Sequence, residues 1–300
     1  MSVLTEAYAV PSRMAGVFRY LLHARGQKDS LDALTRMLAP ESLGRKGDRE
    51  ADAGEEGAGK DMVRKTVSEC LASGLLVPVG DDLALNPALP AHARAELTAV
   101  EIFPMTLVNL FFGSSRDTNH DLGLAIAWYL TQDACAAPGN WSDVERVLID
   151  TGLKDTLRLS DVRYHMLEDW VCYLGFGWTH ALGDKRLTPD PTAHLRVRLP
   201  DLFPGARGSR HPFPEVMGRL AAACPVFEGG SLRTRIEELG FARDLHALSS
   251  TTALAWLRLR DEGIVELHHE SDALTMLLPD GDQTQPVSHV TLVRPAEGGR

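Results

Sequence analysis

Residues 61–87, DMVRKTVSECLASGLLVPVGDDLALNP, restrict the possible folds of this chain more than any other stretch. Met62, Val63, Thr66, Val67, Cys70 and Leu71 recur at helical spacing and form one apolar stripe, leaving Arg64, Lys65 and Ser68 outside it. Gly74 can adopt the left-handed conformation that ends a helix. Leu75 to Val79 then reads as a strand, Gly80-Asp81-Asp82 as a tight turn and Leu83 to Leu85 as a returning strand. Helix, glycine, strand, turn, strand is the closing half of a winged helix-turn-helix.

The preceding residues supply what such a module needs in front. Val17, Phe18, Leu21 and Leu22 predict one helix, and Leu31, Leu34 and Leu38 a second. Ser12 and Ser30 are the expected N-caps, Gly26 closes the first helix and Pro40 ends the second. Residues 44–60 have no apolar period and are rich in glycine and charge, so they read as a loop inserted before helix three. The pattern then returns twice. Ser160 to Leu174 is an apolar helix running into Gly175, Phe176 to Leu182, the turn Gly183-Asp184-Lys185, and Leu187 to Pro189; a short helix opened by Ser142 precedes it. Ser249 opens a helix that ends at Gly263, with strands expected at Ile264 to Leu267 and Leu274 to Leu278, and short helices at 232–239 and 245–248 before it. The expected fold is mainly α with small β-hairpins (α+β): a winged-helix domain at 1–90, a helical connector at 91–135 carrying Leu97, a winged-helix-like domain at 136–205, and a third at 206–300.

Charge bears on partners. With 41 acids against 31 bases the chain repels a phosphate backbone on average, so any DNA contact must be local. Residues 1–100, with 12 bases and 14 acids, are the least hostile third. Two local sites are candidates. The first is the outward face of helix three, Lys60, Arg64, Lys65 and Ser68, on a helix of about 13 residues, hence about 20 Å, which suits a major groove. The second is HLRVRLPDLFPGARGSRH, which gathers Arg196, Arg198, Arg207 and Arg210 against Asp201; it reads equally as an edge strand and loop whose arginines pair with this protein's own carboxylates. Glu168 and Asp169, read as outward, make the second repeat better suited to protein contact. Ser250, Thr251, Arg258 and Arg260 are near the outward side of the third, where a solvated face is at least as good a reading.

Other chemistry finds little support. The four cysteines, at 70, 135, 172 and 224, are far apart without a CxxC and read as buried reduced thiols. Asp117, His120 and Asp121 make a weak metal set, and His268-His269 reads as hairpin-tip polarity. Walker A, GxGxxG after a strand, GxSxG and HExxH are all missing, so no enzyme, cofactor or metal is expected. No apolar run reaches 18 residues, and the first residues lack the marks of a signal peptide, which predicts a cytoplasmic protein.

Through AVPSRMAGVFRYLLHARGQ (residues 9–27) and the stretch 61–87, the chain resembles the DpdG family, accessory proteins of bacterial gene clusters that insert 7-deazaguanine derivatives into DNA. The likeness is clearest over 1–90 and looser beyond. Neither stretch is a catalytic signature, so no site residue is carried over. The resemblance implies a DNA modification and restriction system acting against foreign DNA, with other proteins of the complex supplying base exchange, ATPase and nuclease chemistry. Three readings follow: a non-catalytic winged-helix subunit that engages double-stranded DNA for a defence assembly, an acidic winged-helix adaptor between proteins as in chromosome-organising complexes, or a ligand-responsive transcription regulator.

Overall fold

A computed structural model describes residue 4 and residues 9–40, 53–113, 120–181, 185–205, 208–241 and 244–294, without side chains at 53–58. The chain divides into two compact units, Met1–Phe111 and Phe112–Arg300. No helix among the described residues is long and apolar enough to cross a membrane.

In the first unit, Pro11 occupies the first turn of α1 (Pro11–His23), where its missing N–H costs nothing. Met14, Val17, Phe18, Leu21 and Leu22 form its buried stripe. The N-cap is Val10 rather than the expected Ser12, and the helix stops at His23, before Gly26, which instead turns the chain at φ 70°. Next come β1 (Lys28–Ser30) and α2 (Leu31–Leu38), whose N-cap is Ser30 as expected, its hydroxyl accepting from Ala33 N at 3.2 Å. The third helix, α3, spans Ala53–Ala72, 20 residues instead of about 13. Residues 53–60 of the expected loop are therefore helical, although Gly54, Gly57 and Gly59 lower the helix propensity there. After it, β2 (Leu76–Val79) and β3 (Asp82–Leu85) form a hairpin. The sheet order is β1-β3-β2, antiparallel, with Ser30 opposite Asp82 and Leu76 opposite Leu85. Strand β1, with the sequence KDS, carries no strand signal of its own. The rings of Phe18 and Phe103 stack at 4.2 Å, pinning α1 to α4 (Phe103–Phe112). Leu97, expected inside a helix, is 96% exposed in a turn.

The second unit is built around α5 (Asp121–Tyr129), every residue of which except Asp121 is buried. A helix apolar on all sides belongs in a core. Two hydrogen bonds fasten its C-terminal end: Tyr129 donates its hydroxyl to Leu187 O at 2.7 Å, and Leu130 O accepts from Thr251 Oγ1 at 2.6 Å. Around it run α6 (Trp141–Asp150), α7 (Lys154–Leu157), α8 (Asp161–Tyr173), the hairpin β4 (Gly177–His180) and β5 (Arg186–Pro189), α9 (Thr192–Leu202), β6 (Arg210–Pro212), α10 (Phe213–Ala223), α11 (Ser231–Glu238) and α12 (Ser250–Asp261). The chain closes with β7 (Val265–His268), the hairpin β8 (Met276–Asp280) and β9 (Gln283–Val287), and β10 (His289–Leu292). The cap of α6 is Asn140, not Ser142.

Three expectations fail in this unit for physical reasons. Residues 195–202 are not an edge strand: Leu195, Leu199 and Leu202 are buried at helical spacing, and Pro200 is tolerated in the last turn of α9. The strand returning to β7 is β10, not 274–278, because β8 and β9 pair with each other; β6, β10 and β7 form the sheet in that order. Residues 245–248 are a turn that bridges Ala247 to Leu277 rather than a helix.

One local arrangement occurs three times. Gly74, Gly175 and Gly263 lie just past α3, α8 and α12 at φ 77°, 78° and 68°, a conformation that a side chain opposes. Each is followed by a buried or nearly buried apolar residue whose N–H reaches back five residues: Leu75 to Cys70 O, Phe176 to Val171 O and Ile264 to Leu259 O, all at 2.9 Å. The carbonyl of that same residue then receives the N–H just beyond the returning strand, from Asn86 (3.0 Å), Asp190 (2.9 Å) and Val293 (2.9 Å). The third copy keeps this closure although the β8–β9 hairpin is inserted into it. Even the short first strand has a trace in the second copy, where Leu187 N donates to Gly139 O at 2.9 Å just ahead of α6.

Candidate nucleic-acid interface

The apolar stripe of α3 decides which residues face out. Val63, Thr66, Val67 and Cys70 are buried, and α3 packs against α1 and α2. The rotation of 100° per residue then turns Lys60, Asp61, Arg64, Lys65 and Ser68 outward, and all five are exposed. From Lys60 to Ser68 the face extends about 12 Å along the axis. Arg64 Nη1 lies 3.7 Å from Asp61 Oδ1, both side chains about two-thirds exposed, a contact that orients the guanidinium more than it stabilises the fold. The face thus carries three cations and one carboxylate. The neighbouring hairpin turn is acidic: Asp81 is exposed, and Asp82 pairs with Lys28 of β1 at 3.1 Å.

In the same unit a polar contact ties α1 to the start of α2. Tyr20 donates its hydroxyl to Asp29 Oδ2 at 2.6 Å, and Ser30 N donates to Asp29 Oδ1 at 2.7 Å. These two hydrogen bonds hold the Asp29 carboxyl below the usual range, and the first of them, with burial, pushes the Tyr20 hydroxyl up. Beneath the face, burial pushes the Cys70 thiol well above its ordinary value, with Glu69 adding to the effect, so this cysteine packs as a small apolar group.

The described arginines of the second candidate cluster differ in burial and in partner. Arg196 donates to both carboxylate oxygens of Glu262, at 2.6 Å for Oε1. Arg198 is buried at 5% exposure, with Nη1 3.4 Å from Asp201 Oδ2. Arg210 Nη1 lies 2.6 Å from Glu270 Oε1 across the third sheet. Arg207 is outside the described residues, as are Asp117 and the turn residues 183 and 184. Arg196, Arg198 and Arg210 thus lie against carboxylates of this protein, and the partners of the first and last, Glu262 and Glu270, are 66 and 60 residues away.

The equivalent helices of the other two copies present different surfaces. On α8 the exposed positions are Asp161, Val162, His165 and Asp169; Glu168, expected outward, is 3% exposed because it takes Lys185 Nζ at 2.9 Å and lies 3.0 Å from His165 Nδ1. On α12 Thr251, Thr252, Ala253, Ala255, Trp256, Leu257 and Leu259 are buried, Arg258 pairs with Asp190, and Arg260 donates to Gln285 Oε1 at 2.6 Å. Thr251, expected near the outward side, is in fact among the most buried residues.

No group of three His, Cys, Asp or Glu side chains able to hold a metal is found among the described residues. His120 is a helix cap, its Nδ1 accepting from Gly123 N at 3.2 Å. All four cysteines are free; Cys135 is exposed in a loop, against the expectation of a buried thiol.

The fold and the exposed groups define an α+β protein of small antiparallel sheets whose helix–glycine–strand arrangement occurs three times, one copy with a cationic helix face. The chain belongs to the DpdG-like family, whose model matches residues 1–273. The match extends well past the first 90 residues, where the likeness had been clearest. Membership associates the protein with the Dpd 7-deazaguanine modification system and its other proteins. No curated protein and no solved structure matches the chain.

Proposed function

We propose that this protein is a non-catalytic, tandem winged-helix subunit that engages double-stranded DNA for a modification-dependent restriction assembly, whose other proteins supply the chemistry. The observation that carries the reading is the first unit. Its β1-β3-β2 order closing on α1, α2 and α3 is the strand order of a winged helix, in which the third helix is the one offered to the major groove. That helix bears Lys60, Arg64, Lys65 and Ser68 on its exposed face. The second and third copies act as scaffold and as partner surface. The exposed α8 face, with Asp161, Asp169 and the 60%-exposed Val162, favours protein over phosphate there, which supports a concurrent adaptor role.

The full-length protein should bind duplex DNA in a salt-dependent manner, and a Lys60→Ala, Arg64→Ala, Lys65→Ala variant should lose that binding by at least tenfold while keeping its circular-dichroism spectrum. All three side chains are exposed, so the variant tests contact rather than folding. Wild-type indifference to DNA at low salt would remove the reader role and leave the adaptor role as the better reading.

A further inference from the structure

The chemistry of the α3 face points to a specific atom on DNA. Guanine's major-groove edge offers two acceptors, N7 and O6, and no donor, and the commonest specific contact to it is a guanidinium donating to both. Arg64 stands mid-face at 64% exposure, steered by Asp61 at 3.7 Å. Its planar fork carries five donors and no acceptor. Lys60 and Lys65 flank it and can only donate as well. Of the two acceptors on the face, the Asp61 carboxylate is engaged by Arg64, which leaves the Ser68 hydroxyl.

A 7-deazaguanine has carbon in place of N7. The fork then loses one of its two acceptors, and a substituent on that carbon projects into the groove where a helix would lie. We infer that the α3 face discriminates between duplexes by the atom at guanine position 7, favouring unmodified guanine, with Arg64 as the discriminating residue. The inference rests on the DNA-binding reading above, and the family's link to the 7-deazaguanine system brings both kinds of base before the same protein. It gives the subunit a direction: it recruits its assembly to DNA that lacks the modification and leaves modified DNA alone.

The test uses the full-length protein and two otherwise identical duplexes, one with guanine and one with unsubstituted 7-deazaguanine at every guanine position. Loss of one arm of a two-bonded contact predicts about tenfold weaker binding to the second duplex. An Arg64→Ala variant removes these donors, and should bind both duplexes more weakly and within about twofold of each other. Equal wild-type binding to the two duplexes, with both lost in the triple alanine variant, would overturn the inference while leaving DNA binding intact. Tighter binding to the 7-deazaguanine duplex would likewise overturn it. Binding to neither duplex would overturn the inference and the DNA-binding reading together.

Discussion

His194 shows how much a single side chain can commit a region of the second unit. Its ring stacks on Phe176 at 4.3 Å and lies 5.8 Å from Phe227. Nδ1 is 3.3 Å from Leu174 O, which assigns the proton to Nδ1, and Nε2 is buried with no hydrogen-bond partner. A charged imidazole has no place there: burial, aided by the nearby Arg198 guanidinium, pushes its pKa down to about 3. The unfolded chain, with an ordinary histidine near 6.5, binds the proton more readily. Stability from this residue is therefore present above pH 6.5 and is lost progressively as pH falls towards 3. Between pH 7 and pH 4.5 the loss should be about 2.5 kcal/mol, read from urea unfolding. A His194→Phe variant, aromatic but unable to titrate, should show a pH dependence shallower by that amount, and parallel pH profiles for the two proteins would refute the assignment. Glu228 is the contrasting case. Burial alone would raise its carboxyl, but Arg233 and the Ser249 hydroxyl and N–H outweigh it and hold the group charged at the start of α12.

At the scale of elements, the thrice-repeated helix end was legible in the sequence because two independent signals coincide there, the end of a 3.6-residue apolar period and a glycine needing positive φ. The elements that were missed lack any such signal. Strands β1 (KDS) and β6 (RHP) are three residues long, without alternation or β-branched side chains, and exist because β3 and β10 offer them an edge. The pairing of β7 with β10 was hidden by the β8–β9 hairpin, whose local closure dominates the sequence pattern. For the candidate site, the outward set on α3 followed directly from its apolar stripe, whereas the fates of Arg196, Arg198, Arg210 and Glu168 depended on distant partners or on burial that spacing does not reveal. The three glycines are equivalent in conformation but not in surroundings. A Cβ on Gly175 would lie 2.9 Å from His194 N, a backbone atom that cannot step aside, while one on Gly263 would meet nothing closer than Arg294 at 3.9 Å. Gly263→Ala should cost about 1–2 kcal/mol from the left-handed conformation alone, and Gly175→Ala clearly more, both read as shifts in the urea midpoint at constant slope. Equal costs would show that the close approach of α9 to Gly175 contributes nothing.

Over the whole molecule, the charge distribution limits the kind of DNA contact that the proposed reader helix can make. The first unit carries 12 bases against 15 acids and the second 19 against 26, so neither unit is cationic on balance and the full chain stands at −10. The α3 face is a local exception with three exposed cations, of which Arg64 lies against Asp61. Each phosphate neutralised on a duplex contributes about −0.9 to the slope of log K against log salt. If Lys60 and Lys65 meet phosphates while Arg64 turns to a base, the slope should be about −2; if all three meet phosphates, about −3. Proteins that bind through an extended basic surface lose affinity far more steeply. A potassium chloride titration of duplex binding by the full-length protein therefore measures the size of the cationic contact directly. A slope of about −6 or steeper would require twice the cations that α3 presents and would place the interface elsewhere. A slope near −2 that is nearly abolished in Lys60→Ala, Lys65→Ala, with the guanine preference retained, would separate the two residues that position the helix from the one that reads the base.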